Sequence, residues 1–138
     1  MAGEKSGRRE LTVDLGERSY PIIIGPGVLD EAGALFASRG FPVKSPVLLV
    51  TDEAIADLYA PKVERSLEAA GYRVQRAVVP SGEASKSLER FEELITAALK
   101  AGCDRKSVVV ALGGGVVGDL AGFVAACYMR GVRFVQMP

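Results

Sequence analysis

The sequence predicts an α/β fold in which a parallel sheet carries helices on both faces. Two runs, 47–50 and 108–112, are continuously apolar, which is typical of strands buried on both sides of a parallel sheet. Segments with one apolar helical face separate these runs from further β-rich runs at 74–79 and 133–137. Parallel strands that alternate with helical crossovers of this length form Rossmann-like sheets. The predicted fold class is therefore Rossmann-like α/β.

A β-hairpin is predicted ahead of this sheet. Apolar and polar residues alternate over 11–15, and a β-rich run follows at 20–24 after the turn at 16–18. The Gly-Pro-Gly sequence at 25–27 ends the second strand. A short amphipathic helix then extends to Gly40.

The helices between the strands have recognisable starts and ends. The pair Thr51-Asp52 offers an N-cap after the first buried strand, and Gly71 can end the helix that follows. Pro61 lies inside that helix and predicts a kink or a restart. The next amphipathic helix ends at Gly102.

Composition excludes several classes of function. Lysine plus arginine equal aspartate plus glutamate at 17 each, so no global charge would attract nucleic acid or an anionic membrane surface. No apolar run reaches membrane-spanning length without a glycine or a charge, and residues 1–10 lack the apolar stretch of a secretion signal. Histidine is absent, which removes the commonest general base and metal ligand. We therefore expect a cytoplasmic protein with no nucleic-acid or membrane partner.

The most specific motif is a triple glycine between a strand and a strongly apolar helix. Gly113, Gly115 and Gly118 have the spacing G-x-G-x-x-G, which lets the backbone and a helix N-terminus approach a diphosphate. The motif follows a late strand, however, and no acidic residue follows Asp119 to bind a ribose. An acid with that role would be Asp52, after the first buried strand. The alternative is that the glycines only allow close packing of strand and helix.

Asp119 is the second signal at this motif. It is the only charged residue between Lys106 and Arg130, in a helix otherwise made of Val, Leu, Ala, Gly and Phe. These neighbours predict a buried carboxylate, and an unpaired buried carboxylate is costly. Asp119 therefore needs a partner, either a structural donor or a ligand group, and we favour the ligand.

A third candidate is the segment 81–86, which follows the β-rich run at 74–79. Glu83 and Lys86 can both face the carboxyl edge of the sheet, where Lys86 would meet a phosphate or a carboxamide and Glu83 would meet hydroxyls. The alternative is a solvated helix start capped by Ser87. Separately, Arg130 precedes the last strand and suits a phosphate or a carboxylate, although surface arginines beside a glycine turn are common.

Residues 80–86, 111–123 and 128–138 together resemble the dehydroquinate synthases of the shikimate pathway. The likeness spans nearly the whole chain, and it is most specific in the glycine–aspartate segment and in Arg-Gly-Val-Arg-Phe at 130–134. One departure is Ser81, where the family often has Asp.

The resemblance implies that NAD is bound by the two segments 81–86 and 115–119, with Asp52 beside the adenosine ribose. It also implies that Arg130 reaches the phosphate of the substrate from the neighbouring subunit of a homodimer. The predicted cofactor site is thus Asp52, Ser81, Gly82, Glu83, Ala84, Ser85, Lys86, Gly114, Gly115, Val116, Val117, Gly118 and Asp119.

The resemblance further implies an activity for the complete enzyme. Its substrate would be the phosphorylated sugar acid 3-deoxy-D-arabino-heptulosonate 7-phosphate and its products 3-dehydroquinate and phosphate, with NAD regenerated in each turnover. The family also needs zinc or cobalt, held by one Glu and two His of a helical C-terminal domain. Because this sequence has no histidine, we predict that those ligands lie beyond Pro138. Residues 1–138 would then be the N-terminal NAD-binding domain of a longer protein, inactive alone.

Three other functions remain open. Another sugar-phosphate cyclase of the same fold would act on sedoheptulose 7-phosphate or an amino analogue. A metal-dependent glycerol or alcohol dehydrogenase would consume NAD as a cosubstrate, although Val-Val-Gly-Asp at 116–119 fits the synthases better. A non-catalytic nucleotide-binding or interaction module is the third.

Overall fold

A computed structural model describes residues 7–138, with Arg18 described by its backbone alone. The first two strands, β1 (Arg9–Val13) and β2 (Tyr20–Ile24), pair antiparallel, with Leu11 opposite Ile22. The predicted hairpin is confirmed, and its first strand begins two residues earlier than the alternating pattern indicated.

The remaining elements alternate between helix and strand. In chain order they are α1 (Ala32–Ser38), β3 (Val47–Asp52), α2 (Ala56–Ala69), β4 (Val74–Val79), α3 (Leu88–Ala101), β5 (Val108–Leu112), α4 (Gly115–Cys127) and β6 (Arg133–Met137). Short 3-10 turns precede α1 at Val28–Glu31 and α3 at Glu83–Ser85, and another follows α4 at Tyr128–Arg130. The strands predicted at 74–79, 108–112 and 133–137 have the predicted bounds.

The four later strands form one parallel sheet in the order β4-β3-β5-β6. The chain leaves β3 towards one edge to form β4, then returns past β3 to form β5 and β6 on the other side. The direction of winding therefore reverses between β3 and β5, and in open α/β sheets such a reversal leaves a crevice at the carboxyl ends of the two strands.

Helices cover both faces of the sheet, as predicted. On β3, Leu48 and Val50 point into a core completed by α3 and α4, whereas Val47 and Leu49 point into a core completed by α1 and α2. These four side chains are essentially inaccessible to solvent. Burial on both faces explains why this strand is apolar without alternation.

Helix α2 runs through Pro61 as one helix, so of the two predicted outcomes the restart is wrong and the kink stays a prediction. A proline inside a helix lacks the N–H that would bond the preceding turn. Ala60, Val63 and Leu67 on the same helix are fully buried against the sheet. Tertiary packing therefore keeps the helix continuous despite the missing hydrogen bond.

No helix within residues 7–138 is long and apolar enough to cross a membrane. The most apolar helix, α4, has 13 residues, or about 20 Å at the usual rise per residue. A cytoplasmic location stays a prediction.

Thr51 provides a test of the packing in the central strand. Its side-chain oxygen is fully buried and has no hydrogen-bond partner among the described residues. A buried hydroxyl without a partner costs about 1–3 kcal/mol, and valine has the same shape without the hydroxyl. We therefore predict that Thr51→Val raises the free energy of unfolding by about 1 kcal/mol and the melting temperature by roughly 3 °C.

Thr51→Ser is the matched control, because it keeps the hydroxyl and removes the methyl group, and it should lower the melting temperature. Thermal denaturation of both variants without nucleotide gives the comparison. A lower melting temperature for Thr51→Val than for the unaltered chain would contradict the prediction.

Candidate nucleotide-binding site

Three of the predicted segments meet at the carboxyl edge of the sheet. Asp52 is in register with Val79, and its neighbour Thr51 is in register with Leu112. The loops after β3, β4 and β5 therefore start at the same level. The segments after β3 and β5 also lie against each other, since the Ile55 side chain lies 3.4 Å from where a Cβ would stand on Gly113.

Gly113 turns the chain out of β5 and is required by the fold. Its φ is +149°, and its N–H donates to the carbonyl of Met137 at 3.0 Å, next to the last β5–β6 pair. A Cβ at this position would lie 3.2 Å from the Val117 side chain. Both the backbone conformation and the space available therefore favour glycine.

Gly118 lies close to a side chain of the last strand. It is buried in the first turns of α4, where a Cβ would lie 2.7 Å from the side-chain amide nitrogen of Gln136 on β6. Because this nitrogen is the far end of a flexible side chain, a small shift of Gln136 would relieve the contact, so the present position of Gln136 favours glycine here without requiring it.

Gly114 and Gly115 have no close contact that a side chain at these positions would disturb. Gly114 has φ −81° and ψ −164°, an extended conformation open to any residue, and Gly115 is the first residue of α4. Both residues are exposed. If a Cβ were added to either one, it would have no heavy atom of the described residues within 4 Å, apart from the adjoining residues and the backbone of the same helix turn. Close strand–helix packing, the alternative explanation of the motif, therefore accounts for Gly113, accounts for Gly118 only in part, and leaves Gly114 and Gly115 unexplained.

The open glycines adjoin the N-terminus of α4. The first intrahelical bond of this turn runs from the Gly118 N–H to the Gly114 carbonyl at 3.0 Å. The N–H groups of residues 115–117 precede it, and such groups have no carbonyl partner within a helix. Aligned peptide dipoles make this end of a helix favourable for an anion. The space beside Gly114 and Gly115 can thus admit an anionic group.

Asp119 is exposed, contrary to the predicted burial. Its side chain is 66% accessible, and its Oδ2 lies 2.9 Å from the amine of Lys86. The prediction failed because α4 is apolar on the side that packs on the sheet, where Val117, Leu120 and Ala121 are buried. Asp119 falls on the opposite side of the helix.

Lys86 links the loop after β4 to the first turns of α4. Its amine is also 3.5 Å from a carboxylate oxygen of Glu83. The hydrogen bond to Asp119, supported by the charges of Asp119 and Glu83, raises the pKa of Lys86 above its ordinary value of 10.5. The amine is therefore charged at neutral pH.

The loop 81–86 is held by its own hydrogen bonds. The Ser85 hydroxyl is buried and donates to the Pro80 carbonyl, and the N–H groups of Ser85 and Lys86 donate to the carbonyls of Gly82 and Glu83 at 3.1 and 3.0 Å. The other members of the loop, Ser81, Gly82, Glu83 and Ala84, are exposed. Ser87 caps α3 by accepting from the Arg90 N–H at 3.2 Å, so the capped helix start is confirmed.

Asp52 is half-buried at the end of β3. Its Oδ1 accepts hydrogen bonds from the N–H groups of Ala54 and Ile55 at 2.9 and 3.2 Å. These bonds fix the turn that leads to α2. Because a carboxylate has about four acceptor positions, Asp52 keeps acceptor capacity for a ligand.

Arg130 lies at the other end of the sheet, because α4 carries the chain back across its face. About 20 Å of helix separates it from the glycine turn. Met129 and Arg130 have φ values of 49° and 65°, which are unusual for residues with side chains. The turn is anchored by Tyr128, whose buried hydroxyl donates to the Cys103 carbonyl at 2.7 Å. The structure therefore does not bring Arg130 to the other predicted site residues.

Two features of this edge were missed from sequence. Gln136 is a polar residue on the α4 side of β6, and it lies beside Gly118. Between α3 and α4, next to the Lys86–Asp119 ion pair, lies a shallow depression of about 390 Å³. It is lined by Lys86, Ser87, Leu88, Phe91, Asp119, Leu120 and Phe123. A polar residue near the end of an apolar strand could have indicated Gln136, whereas the depression needs two helices to be placed together.

A metal site is not formed by this part of the chain: within residues 7–138, no group of three or more His, Cys, Asp or Glu could hold a metal ion. The two His that the resemblance implies are absent from the sequence itself, so the position of the metal ligands elsewhere stays a prediction.

The fold and the glycine turn at its winding reversal define a class: a Rossmann-like α/β domain with the architecture of a nucleotide-binding domain. Residues 76–138 match the family model described as 3-dehydroquinate synthase N-terminal. Together with the relatives below, this match shows that the chain is similar to the 3-dehydroquinate synthases over nearly its whole length.

A curated relative extends the match over nearly the whole chain. The chain is 54% identical over 128 residues to 3-dehydroquinate synthase from Desulforamulus reducens, an alignment that covers 93% of this chain and 35% of the relative. The chain thus spans about a third of the length of the curated relatives it matches.

Two solved structures share the fold. One is 2-deoxy-scyllo-inosose synthase complexed with carbaglucose-6-phosphate, NAD⁺ and Co²⁺, at TM-score 0.82 and 21% identity, covering 94% of this chain and 35% of that one. The other is 2-epi-5-epi-valiolone synthase from Streptomyces hygroscopicus with NAD⁺ and Zn²⁺, at TM-score 0.72 and 28% identity, covering 91% and 34%.

Gly113, which the fold requires, and Gly115, which has open space around it, should differ in how a substitution changes stability. Gly113→Ala should lower the free energy of unfolding by about 1–3 kcal/mol, because it forces alanine into a positive φ against the Val117 side chain. Gly115→Ala should leave the stability unchanged or raise it slightly, since alanine is preferred to glycine in a helix. Urea denaturation measures both changes, and equal losses in the two variants would contradict the assignment.

Proposed function

We propose that this chain binds NAD at the carboxyl edge of its sheet, as the N-terminal domain of a 3-dehydroquinate synthase. The observation that carries the proposal is the pair Gly114 and Gly115. Neither glycine is needed by the fold, and both open space at a helix N-terminus where the winding of the sheet reverses. A dinucleotide diphosphate is the ligand group that such an arrangement accommodates.

Each neighbouring segment has a role in this proposal. The diphosphate lies against the backbone of residues 114–118, with Val116 and Val117 offering N–H groups and no polar side chain. Asp52 accepts hydrogen bonds from a ribose. Lys86, Asp119 and Glu83 bind the polar groups of the nicotinamide half, beside the exposed loop after β4.

The charges at this edge favour backbone recognition of the diphosphate. Among the candidate residues, Lys86 is the one cation, and its amine already faces Asp119 and Glu83. Side chains alone would therefore not neutralise a diphosphate, and the N-terminus of α4 supplies the compensating positive potential.

We infer that the longer protein converts 3-deoxy-D-arabino-heptulosonate 7-phosphate to 3-dehydroquinate and phosphate. Support comes from the 54% identity to a 3-dehydroquinate synthase. When bound, NAD supplies reversible oxidation of a substrate hydroxyl. The residues of this chain hold and orient the cofactor, whereas the metal ligands, for zinc or cobalt, come from another part of the protein. The 138-residue chain alone should release no phosphate from this substrate.

Arg130 has a separate role in the proposal. Because it lies at the opposite edge of the sheet, it does not contact the NAD site of its own domain. We propose that it binds the substrate phosphate in a second subunit of a homodimer. The strained, anchored turn around it supports a functional role, since strain of this kind is retained where geometry matters.

The NAD proposal predicts direct binding. The chain should bind NAD in isothermal titration calorimetry, and NAD should raise its melting temperature by mass action. Gly115→Ala should weaken binding by about tenfold or more, because its methyl group stands between the diphosphate and the backbone N–H groups. The same variant should melt normally without NAD, so lost binding cannot be attributed to unfolding. Undiminished affinity in Gly115→Ala would sink the proposed position of the diphosphate.

The ion pair gives a second prediction. Lys86→Gln and Asp119→Asn should each weaken NAD binding several-fold while barely changing the melting temperature, since both side chains are exposed. A raised lysine pKa keeps the Lys86 amine fully charged at pH values well below 10.5, and the charge is lost only as the pH rises through the higher value in the folded chain. The affinity for NAD, measured by calorimetry, should therefore not change through titration of Lys86 between pH values of about 6 and 9. A loss of affinity in that range that disappears in Lys86→Gln would contradict this assignment.

A further inference from the structure

The loops that lead into β5 and β6 carry a concentration of positive charge. Residues 102–107 precede β5, and residues 128–132 precede β6. Four exposed cationic side chains belong to these loops or to the first residue of β6: Arg105, Lys106, Arg130 and Arg133. We call these four residues the basic surface. The one acidic residue in the two loops is Asp104.

Contacts with the backbone hold the two loops together. The Tyr128 hydroxyl donates to the Cys103 carbonyl at 2.7 Å, and a guanidinium nitrogen of Arg133 donates to the Lys106 carbonyl at 3.1 Å. The same guanidinium lies 5.0 Å from the centre of the Phe41 ring. Because an arginine side chain has five N–H donors, Arg133 is fixed in place and keeps donors for a ligand.

The other members of the basic surface have no structural partner. Within residues 7–138, the side chains of Arg105, Lys106 and Arg130 make no hydrogen bond and no ion pair. The Asp104 carboxylate is held by its own surroundings: it accepts from the Lys106 N–H at 2.9 Å, and a hydrogen bond from Ser45 is the main cause that lowers its pKa. These three cations are therefore available to a ligand.

Helix dipoles account for only part of this charge. Helices α3 and α4 both end at these loops, and the C-terminus of a helix carries about half a negative charge. The two helix ends and the Asp104 carboxylate together offset about two of the four positive charges. An excess of about two positive charges remains, and like charges held close together repel each other. The excess does not stabilise the fold, and so it indicates an anionic ligand.

Side chains at the opposite edge of the sheet have the opposite balance of charge. At the carboxyl edge, Asp52, Glu83 and Asp119 accompany one cation, Lys86. A phosphate group bound there depends on backbone N–H groups, as proposed above for NAD. A phosphate that is bound through cationic side chains is therefore directed to the amino edge.

We propose that the basic surface binds the dianion of a phosphate monoester, with Arg105, Lys106 and Arg133 acting beside Arg130. This proposal rests in part on the proposed role of Arg130 and adds three residues to it. A phosphate monoester carries about two negative charges at neutral pH, which matches the excess of positive charge. Guanidinium groups bind two phosphate oxygens through paired N–H groups, whereas Lys106 contributes a point charge.

NMR titration of the amide signals of the 138-residue chain tests the proposal. At about pH 8, where a phosphate monoester is a dianion, glycerol 3-phosphate should shift the signals of residues 104–106 and 130–133. Sodium chloride should weaken this binding, because salt screens exposed charges. Inorganic phosphate forms the second arm and should shift the same signals. Binding of inorganic phosphate without binding of glycerol 3-phosphate would overturn the assignment to a monoester.

A double variant identifies the side chains that are responsible. Arg105→Gln with Lys106→Gln should weaken the binding of glycerol 3-phosphate by about fivefold or more, because two positive charges near the dianion are lost. The matched control is Lys62→Gln with Arg65→Gln on α2, which also removes one lysine and one arginine from exposed positions. The control should bind glycerol 3-phosphate as the unaltered chain does.

Circular dichroism establishes that each variant is folded. Should the double variant unfold, Lys106→Gln alone provides the same test with a smaller expected loss, about twofold. Calorimetry with NAD should give the same affinity for the double variant as for the unaltered chain, so a failure of NAD binding and a failure of phosphate binding are seen separately. The proposal is overturned by unchanged affinity for glycerol 3-phosphate in the double variant, by an equal loss in the control, or by shifts that spare residues 104–106 and 130–133.

Discussion

Burial of β3 and β5 side by side, at the centre of a parallel sheet, is the constraint on which the rest of the structure depends. Both strands are apolar on both faces, so helices must cover both sides and the chain must wind in both directions. The winding reverses between these two strands. The crevice that this reversal leaves is where Asp52, the loop after β4 and the glycine turn are brought together.

The glycine motif serves two different requirements within six residues. Gly113 is required by its backbone conformation, and Gly118 is favoured by the nearby side chain of Gln136. Gly114 and Gly115 are not used by the fold, and the space beside them adjoins free N–H groups of α4. A single spacing pattern thus combines structural and ligand-binding roles, which explains why the pattern alone is a weak indicator of function.

Opposite ends of the sheet differ in their role. The carboxyl edge holds the proposed cofactor site, whereas the amino edge holds Arg130 on a strained turn anchored by Tyr128. Side chains of one domain cannot join these two ends, because α4 separates them by about 20 Å. The proposed role of Arg130 in a second subunit agrees with this separation.

The sequence by itself determined the elements and their order, because hydrophobic periodicity and glycine punctuation are local properties. Strands 74–79, 108–112 and 133–137, the Ser87 cap and the hairpin were all predicted from it. It also located the candidate segments, and the family resemblance gave them roles. Tertiary structure alone decided that Asp119 is exposed and paired with Lys86, that α2 continues through Pro61, and that Arg130 lies at the far edge. These outcomes depend on which side of a helix faces the sheet and on what packs against it, and neighbours in sequence do not specify that.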